Sequence, residues 1–210
     1  MAKTFKEAFI EVYGAWNPAR TYIILNNRGI TDLSGAEELT AVQTLHLEIN
    51  QISDVSALGG LTTLQDLRIG RNSVSDISAL SGLINLTHLM VNDNQITDIS
   101  AVSGLTKLVY LVLGNNPITD ISAVNGLTNL TQLHVYGAQI SDVSPVSGLT
   151  NLWNLQLPNN QITNISALSG LTKLEQLAIG DNQIADISAL SGLTKLEQLA
   201  IGDNQIADIS

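Results

Sequence analysis

Apolar residues recur along this chain at fixed places within a 22-residue unit, not at a single helical or strand period. In the unit that begins at Leu61 the inward set is Leu61, Leu64, Leu67, Ile69, Val74, Ile77 and Leu80. Leu67 and Ile69 alternate with Asp66, Arg68 and Gly70, which predicts a short strand with one face in and one face out. The unit starts again at Leu39, Leu83, Leu105, Leu127, Leu149 and Leu171, and a shortened copy starts at Leu193. The last two copies do not differ: LTKLEQLAIGDNQIADIS fills Leu171–Ser188 and again Leu193–Ser210. Ahead of the units the pattern changes period. Thr4 followed by Glu7 reads as a capping box, and Phe5, Ala8, Phe9 and Val12 recur at helical spacing. One amphipathic helix is predicted over residues 4–13, ended by Gly14 and Pro18, and it is expected to cover the apolar end of the first coil.

Self-similarity at this spacing, with the pattern L-x-x-L-x-L-x-x-N-x-I, is the signature of a leucine-rich-repeat solenoid. Three regions follow. Residues 1–38 hold the cap helix and a degenerate first coil, in which Ile23, Leu25, Ile30, Asp32 and Leu33 keep register while Arg28 stands where later coils carry Asn. Residues 39–192 are seven full repeats, and 193–210 a truncated eighth without a C-terminal cap. Stacking the strands of successive coils makes a parallel sheet on one face, so the class is α/β. Units such as LTNLTQLHVYGAQISDVSPVSG and LTKLEQLAIGDNQIADISALSG resemble the internalin-type repeat of bacterial surface proteins, well over 39–210 and loosely over 17–38. The resemblance implies a right-handed horseshoe or curved rod with the sheet on the concave face and 3₁₀ turns on the convex face. It also implies a protein partner on the concave side, and an extracellular or cell-surface location.

Two columns that look chemical read as structural. Asn50, Asn72, Asn94, Asn116, Asn160, Asn182 and Asn204 form a ladder broken at Ala138. Amides buried at such positions must find partners, and backbone groups of adjacent turns can supply them. Asp32, Asp54, Asp76, Asp98, Asp120, Asp142, Asp186 and Asp208 each precede a short turn, where a carboxylate can cap free N–H groups. Asn164 replaces Asp in one coil, keeping the acceptor and losing the charge, so capping explains the column better than a metal does.

The outward strand positions hold the variation. One column runs Thr44, Asp66, His88, Tyr110, Gln132, Asn154, Gln176, Gln198; the next runs His46, Arg68, Met90, Val112, His134, Gln156, Ala178, Ala200. A third runs Glu48, Gly70, Asn92, Gly114, Tyr136, Pro158, Gly180, Gly202. Outside the cap the chain has three histidines and three aromatic residues, and all six lie on or beside these strands. Tyr, Trp, Arg and Met are the types enriched at interface centres. The partner-binding candidates are therefore His46, Arg68, His88, Met90, Asn92, Tyr110, Val112, His134, Tyr136, Trp153 and Gln156. Outward strand positions also tolerate almost any residue, so drift without a ligand stands beside this reading.

Catalysis does not fit the placement. The main serine column (Ser56, Ser78, Ser100, Ser122, Ser144, Ser166) shares the convex side with the Asp column, and the histidines lie on the opposite face. A nucleophile and its base must come within about 3 Å. His88 and His134 are two coils apart, roughly 10 Å at the usual strand spacing, which is poor for one zinc ion. There is no cysteine, so neither a disulfide framework nor a thiolate metal site exists. The net charge of −10 argues against nucleic acid. No apolar run approaches the ~18–20 residues that cross a bilayer, and no cofactor motif is present. The first reading is a non-enzymatic recognition module. The second is a truncated or engineered scaffold that self-associates, as a homodimer, through Leu193, Leu196, Leu199, Ile201, Ile206 and Ile209 at an uncapped end.

Overall fold

The computed structural model describes residues 3–207, so Asp208 and Ile209 lie outside the described residues. The chain opens with β1 (Lys3–Thr4) and α1 (Phe5–Tyr13), then β2 (Tyr22–Ile24) and β3 (Ile30–Asp32). Eight further strands follow at the repeat spacing: β4 (Thr44–His46), β5 (Asp66–Arg68), β6 (His88–Met90), β7 (Tyr110–Val112), β8 (Gln132–His134), β9 (Asn154–Gln156), β10 (Gln176–Ala178) and β11 (Gln198–Ala200). With β2 they form one nine-stranded parallel sheet in sequence order. Because every unit has the same length, the register never slips: His88 faces Asp66 on one side and Tyr110 on the other. The middle residue of each strand points in, and Leu45, Leu67, Leu89, Leu111 and Leu133 are fully buried.

Opposite the sheet, each coil turns through a 3₁₀ segment such as Ser56–Leu58 or Ser100–Val102. The aspartate two residues earlier sets the turn: Ser56 N donates to Asp54 Oδ1 at 2.8 Å, and Ser100 N to Asp98 Oδ1 at 2.7 Å. Asn164 accepts from Ser166 N at 2.8 Å in the same way, so the turn needs the oxygen and not the charge.

The asparagine ladder stitches one coil to the previous one. Asn94 Oδ1 accepts from Val74 N at 2.9 Å, while its Nδ2 donates to Ile69 O and Val91 O, both at 3.0 Å. At the gap, Ile118 N donates instead to Asn116 O at 2.8 Å. Pro117 allows this, since it lacks the N–H by which Gln139, in the next coil, holds to Ile118 O at 2.9 Å. Ala138→Asn is therefore expected to stabilise the chain by less than about 1 kcal/mol, because Ile118 N–H already has a partner. Urea melts would check this, and a destabilised variant would show that the 116–118 turn cannot return to ladder geometry.

The N-terminal cap follows from its apolar spacing. Thr4 and Glu7 form a reciprocal capping box, and Gly14 closes the helix at φ 82°. Phe5, Ala8 and Phe9 are fully buried. The Phe9 ring lies 4.9 Å from both Tyr13 and Trp16. The Tyr13 hydroxyl takes the Ile24 N–H at 2.8 Å, satisfying a donor on the outer edge of β2. The pairing of β1 with β3 was not expected from the sequence.

Candidate functional site

The concave face carries the first and third residues of each strand, since side chains alternate along it. Around β6–β8 these residues meet as an aromatic plate. The Tyr110 ring stands edge-on to His134 at 5.3 Å and to His88 at 6.1 Å, with interplanar angles of 80° and 77°. His88 Nδ1 is 2.9 Å from Thr87 Oγ1, which fixes its ring. Met90 and His134 flank Val112 in register. Val112 itself is 3 % exposed, so it supports its neighbours and offers almost no surface. Tyr136 lies across Gly114: a Cβ on that glycine would stand 2.4 Å from the tyrosine ring. Gly70 leaves the same kind of room for Asn92, whose Oδ1 would be 2.8 Å from a Cβ there. Any larger residue at Gly114 would lift Tyr136 off the sheet.

Two buried polar atoms at this place have no partner among the described residues, His134 Nε2 and Asn92 Oδ1. Groups of this kind are uncommon in folded proteins and cost free energy while unpaired. Burial lowers the pKa of His134, with Asn154 beside it opposing. Burial raises the Tyr110 phenol, and Arg68 offsets part of that effect.

Toward the cap the arrangement is ionic. Asp66 Oδ2 accepts from His46 Nε2 at 3.1 Å and from Arg68 Nη2 at 3.0 Å, and Asp66 Oδ1 accepts from Arg68 Nε at 3.1 Å. Burial alone would raise the Asp66 pKa, but the hydrogen bonds from His46 and Arg68 outweigh it and hold the group at about 2. Arg68 is thus committed to its own strand, and His46 is only 8 % exposed. Tyr22, which the sequence columns began too late to include, is 54 % exposed and stands 6.4 Å from the His46 ring.

The structure does not gather every candidate. Trp153 precedes β9 and lines an open groove with Asn151, Lys173, Glu175 and Lys195, and among the described residues no aromatic ring reaches it. Gln156 joins an amide chain instead, donating to Asn154 Oδ1 at 2.8 Å while Asn154 donates to Gln176 Oε1 at 2.9 Å. At the last coil Leu193 is buried, Leu196, Ile201 and Ile206 are half-buried, and Leu199 is 43 % exposed. In each earlier coil the next coil covers the same side chains, so their exposure here carries no argument for self-association. No helix among the described residues is long and apolar enough to cross a membrane.

Comparison with known proteins places this geometry. The family of Leucine Rich repeats (2 copies) matches residues 62–105, 84–126, 106–150, 150–192 and 172–210. No curated protein matches the chain. Among solved structures, internalin C2 from Listeria monocytogenes is 32 % identical with a TM-score of 0.89, over 93 % of this chain and 91 % of that one. An internalin F from the same organism is 33 % identical with a TM-score of 0.80, over 97 % of this chain and 70 % of that one. The functional domain of internalin J, also from Listeria monocytogenes, is described as including a cysteine ladder; it is 25 % identical with a TM-score of 0.82, over 90 % of this chain and 41 % of that one. The present chain has no cysteine and builds its ladder from asparagine. The repeat and the two internalins above 30 % identity agree, and the chain belongs to the internalin-type leucine-rich-repeat family.

Proposed function

We propose that the chain is a non-enzymatic recognition module that binds a protein partner through the plate formed by His88, Met90, Tyr110, His134 and Tyr136, and that it acts at or outside a bacterial surface. The leucine-rich-repeat fold is that of a protein-interaction module, which is the coarse part of this reading. The observation that carries the finer part is the Tyr136–Gly114 contact beside the Tyr110–His134 pair. Large rings, a type enriched at interface centres, are spread over this face of the sheet. Convex serines and concave histidines lie on opposite faces, which supports a role without catalysis.

Tyr110→Ala and Tyr136→Ala are each expected to weaken partner binding by more than about 1 kcal/mol in a calorimetric titration. Trp153→Ala tests whether the separate groove belongs to the same surface, and a similar loss is expected if it does. Gln176→Ala and Gln198→Ala should change little. Equal effects from the two groups of variants would overturn the assignment to β6–β8.

A further inference from the structure

All nine coils place one residue at the same point, just after the strand, where the chain leaves the concave face. Eight of these residues have φ between 52° and 58°, and Gly137 has φ 60°. The left-handed region is unfavourable for any residue with a Cβ and worst for a β-branched one. Seven coils obey that rule with Asn27, Asp93, Asn115, Gly137, Asn159, Asp181 or Asp203, residue types that tolerate the conformation. Two neighbouring coils break it, with Ile49 and Arg71, both at φ 58°.

The backbone is held here as in the other coils, Ile49 N donating to Gly70 O at 3.0 Å and Arg71 N to Asn92 O at 2.9 Å, but among the described residues neither side chain adds a hydrogen bond or ion pair. Ile49 is 45 % exposed. Arg71 is also exposed. The nearest stacked acid is already occupied: Asp93 Oδ1 accepts from Asn115 at 2.8 Å and Asp93 Oδ2 from Asn92 at 2.6 Å. The pair follows β4 and β5, and β5 pairs with β6, the first strand of the aromatic plate. The Arg71 charge reaches the Tyr136 phenol and lowers its pKa, against larger raising effects of burial and of Asp93. Residues held in sparsely populated backbone regions cluster at ligand clamps and switch regions.

We propose that Ile49 and Arg71 are a second contact point for the protein partner, taking a segment that presents an apolar side chain beside a carboxylate. Ile49 packs against the apolar group, and the unpaired guanidinium of Arg71 takes the carboxylate through two parallel hydrogen bonds. The two positions are one strand step apart, about 5 Å, so the partner's two groups must be near neighbours. This inference rests on the reading of the concave side as a protein-binding face, and it adds the chemistry of the rim nearest the cap.

The test uses Ile49→Asn, Arg71→Asn and the double variant of the whole chain. Relief of strain should raise the melting temperature of Ile49→Asn by about 2–4 °C and should not lower that of Arg71→Asn. A fall in both would overturn the proposal, since the strain would then be absent. A random dodecapeptide phage library selected on the unaltered chain supplies the binding probe. Selected peptides should place Asp or Glu next to Leu, Ile, Val or Phe, and synthetic copies should bind the double variant at least tenfold more weakly. If they bind the double variant unchanged but fail on Tyr110→Ala, this inference is wrong and the reading of the plate stands. Peptides indifferent to both sets of substitutions, or a library that yields no binder, would count against both. Dependence on Arg71 without a carboxylate in the peptide would overturn the proposed chemistry.

Discussion

Asn94→Ala is expected to lower the unfolding free energy by about 3 kcal/mol, the cost of leaving buried backbone groups unpaired. The Asn94 amide accepts from Val74 N at 2.9 Å and donates to Ile69 O at 3.0 Å, Val91 O at 3.0 Å and Asn92 O at 3.2 Å. The gap at Ala138 does not make this loss harmless elsewhere. Ile118 N could turn to a local carbonyl because Pro117 has no tie to the preceding coil. Ser73 has that tie, donating to Ile52 O at 2.8 Å, so Val74 N is held pointing at the missing side chain. Urea unfolding with an unchanged slope should show the loss. A loss below about 0.5 kcal/mol, within the range of ordinary surface substitutions, would mean that the ladder is incidental to stability.

Phe9→Ala should cost about 3–5 kcal/mol locally, as large-to-small changes of buried aromatics do. Phe9 is fully buried, with the Tyr13 and Trp16 rings each 4.9 Å away. Coils of a solenoid couple only to their neighbours, so this loss should open the cap first and leave later coils folded. The reporters are the Ile24 amide, bonded to the Tyr13 hydroxyl, and the Leu25 amide, bonded to His46 O at 2.8 Å. Their hydrogen-exchange protection should fall about 100-fold, with the amides of β7–β10 unaffected. Equal loss along the whole sheet would show that cap and coils melt as one unit.

The parts of the fold legible in the sequence are those whose partners repeat with the backbone. The Asn and Asp columns could be read because each binds main-chain groups that recur every coil, and Asn164 showed that the charge was dispensable. Outward columns were legible as columns, because side chains alternate in a strand. Which of those side chains touch was not. Alternation marks Val112 and His46 as outward, yet they are 3 % and 8 % exposed, since residues of adjacent coils stand over and beside them. Trp153 is close to the plate in sequence pattern and apart from it in space. The function of Gly114 exists only through the ring of a residue one coil later. The strained row was in plain view: a column of Asn, Asp and Gly interrupted by Ile49 and Arg71 needs no structure to notice, only the knowledge that its φ is positive.

The central claim is that a partner seats on β6–β8, and the chain carries suitable reporters for it. Met90 and Met1 are its two methionines, and His46, His88 and His134 its three histidines. With ¹³C-methyl methionine and ¹³C-labelled histidine, NMR can follow these side chains while the partner is added. The account predicts that the Met90 methyl and the His88 and His134 ring signals shift together, that Tyr136→Ala moves the shifts to higher partner concentration, and that the buried His46 ring moves less. Saturable binding that leaves Met90, His88 and His134 unmoved would place the partner elsewhere on the solenoid and contradict it.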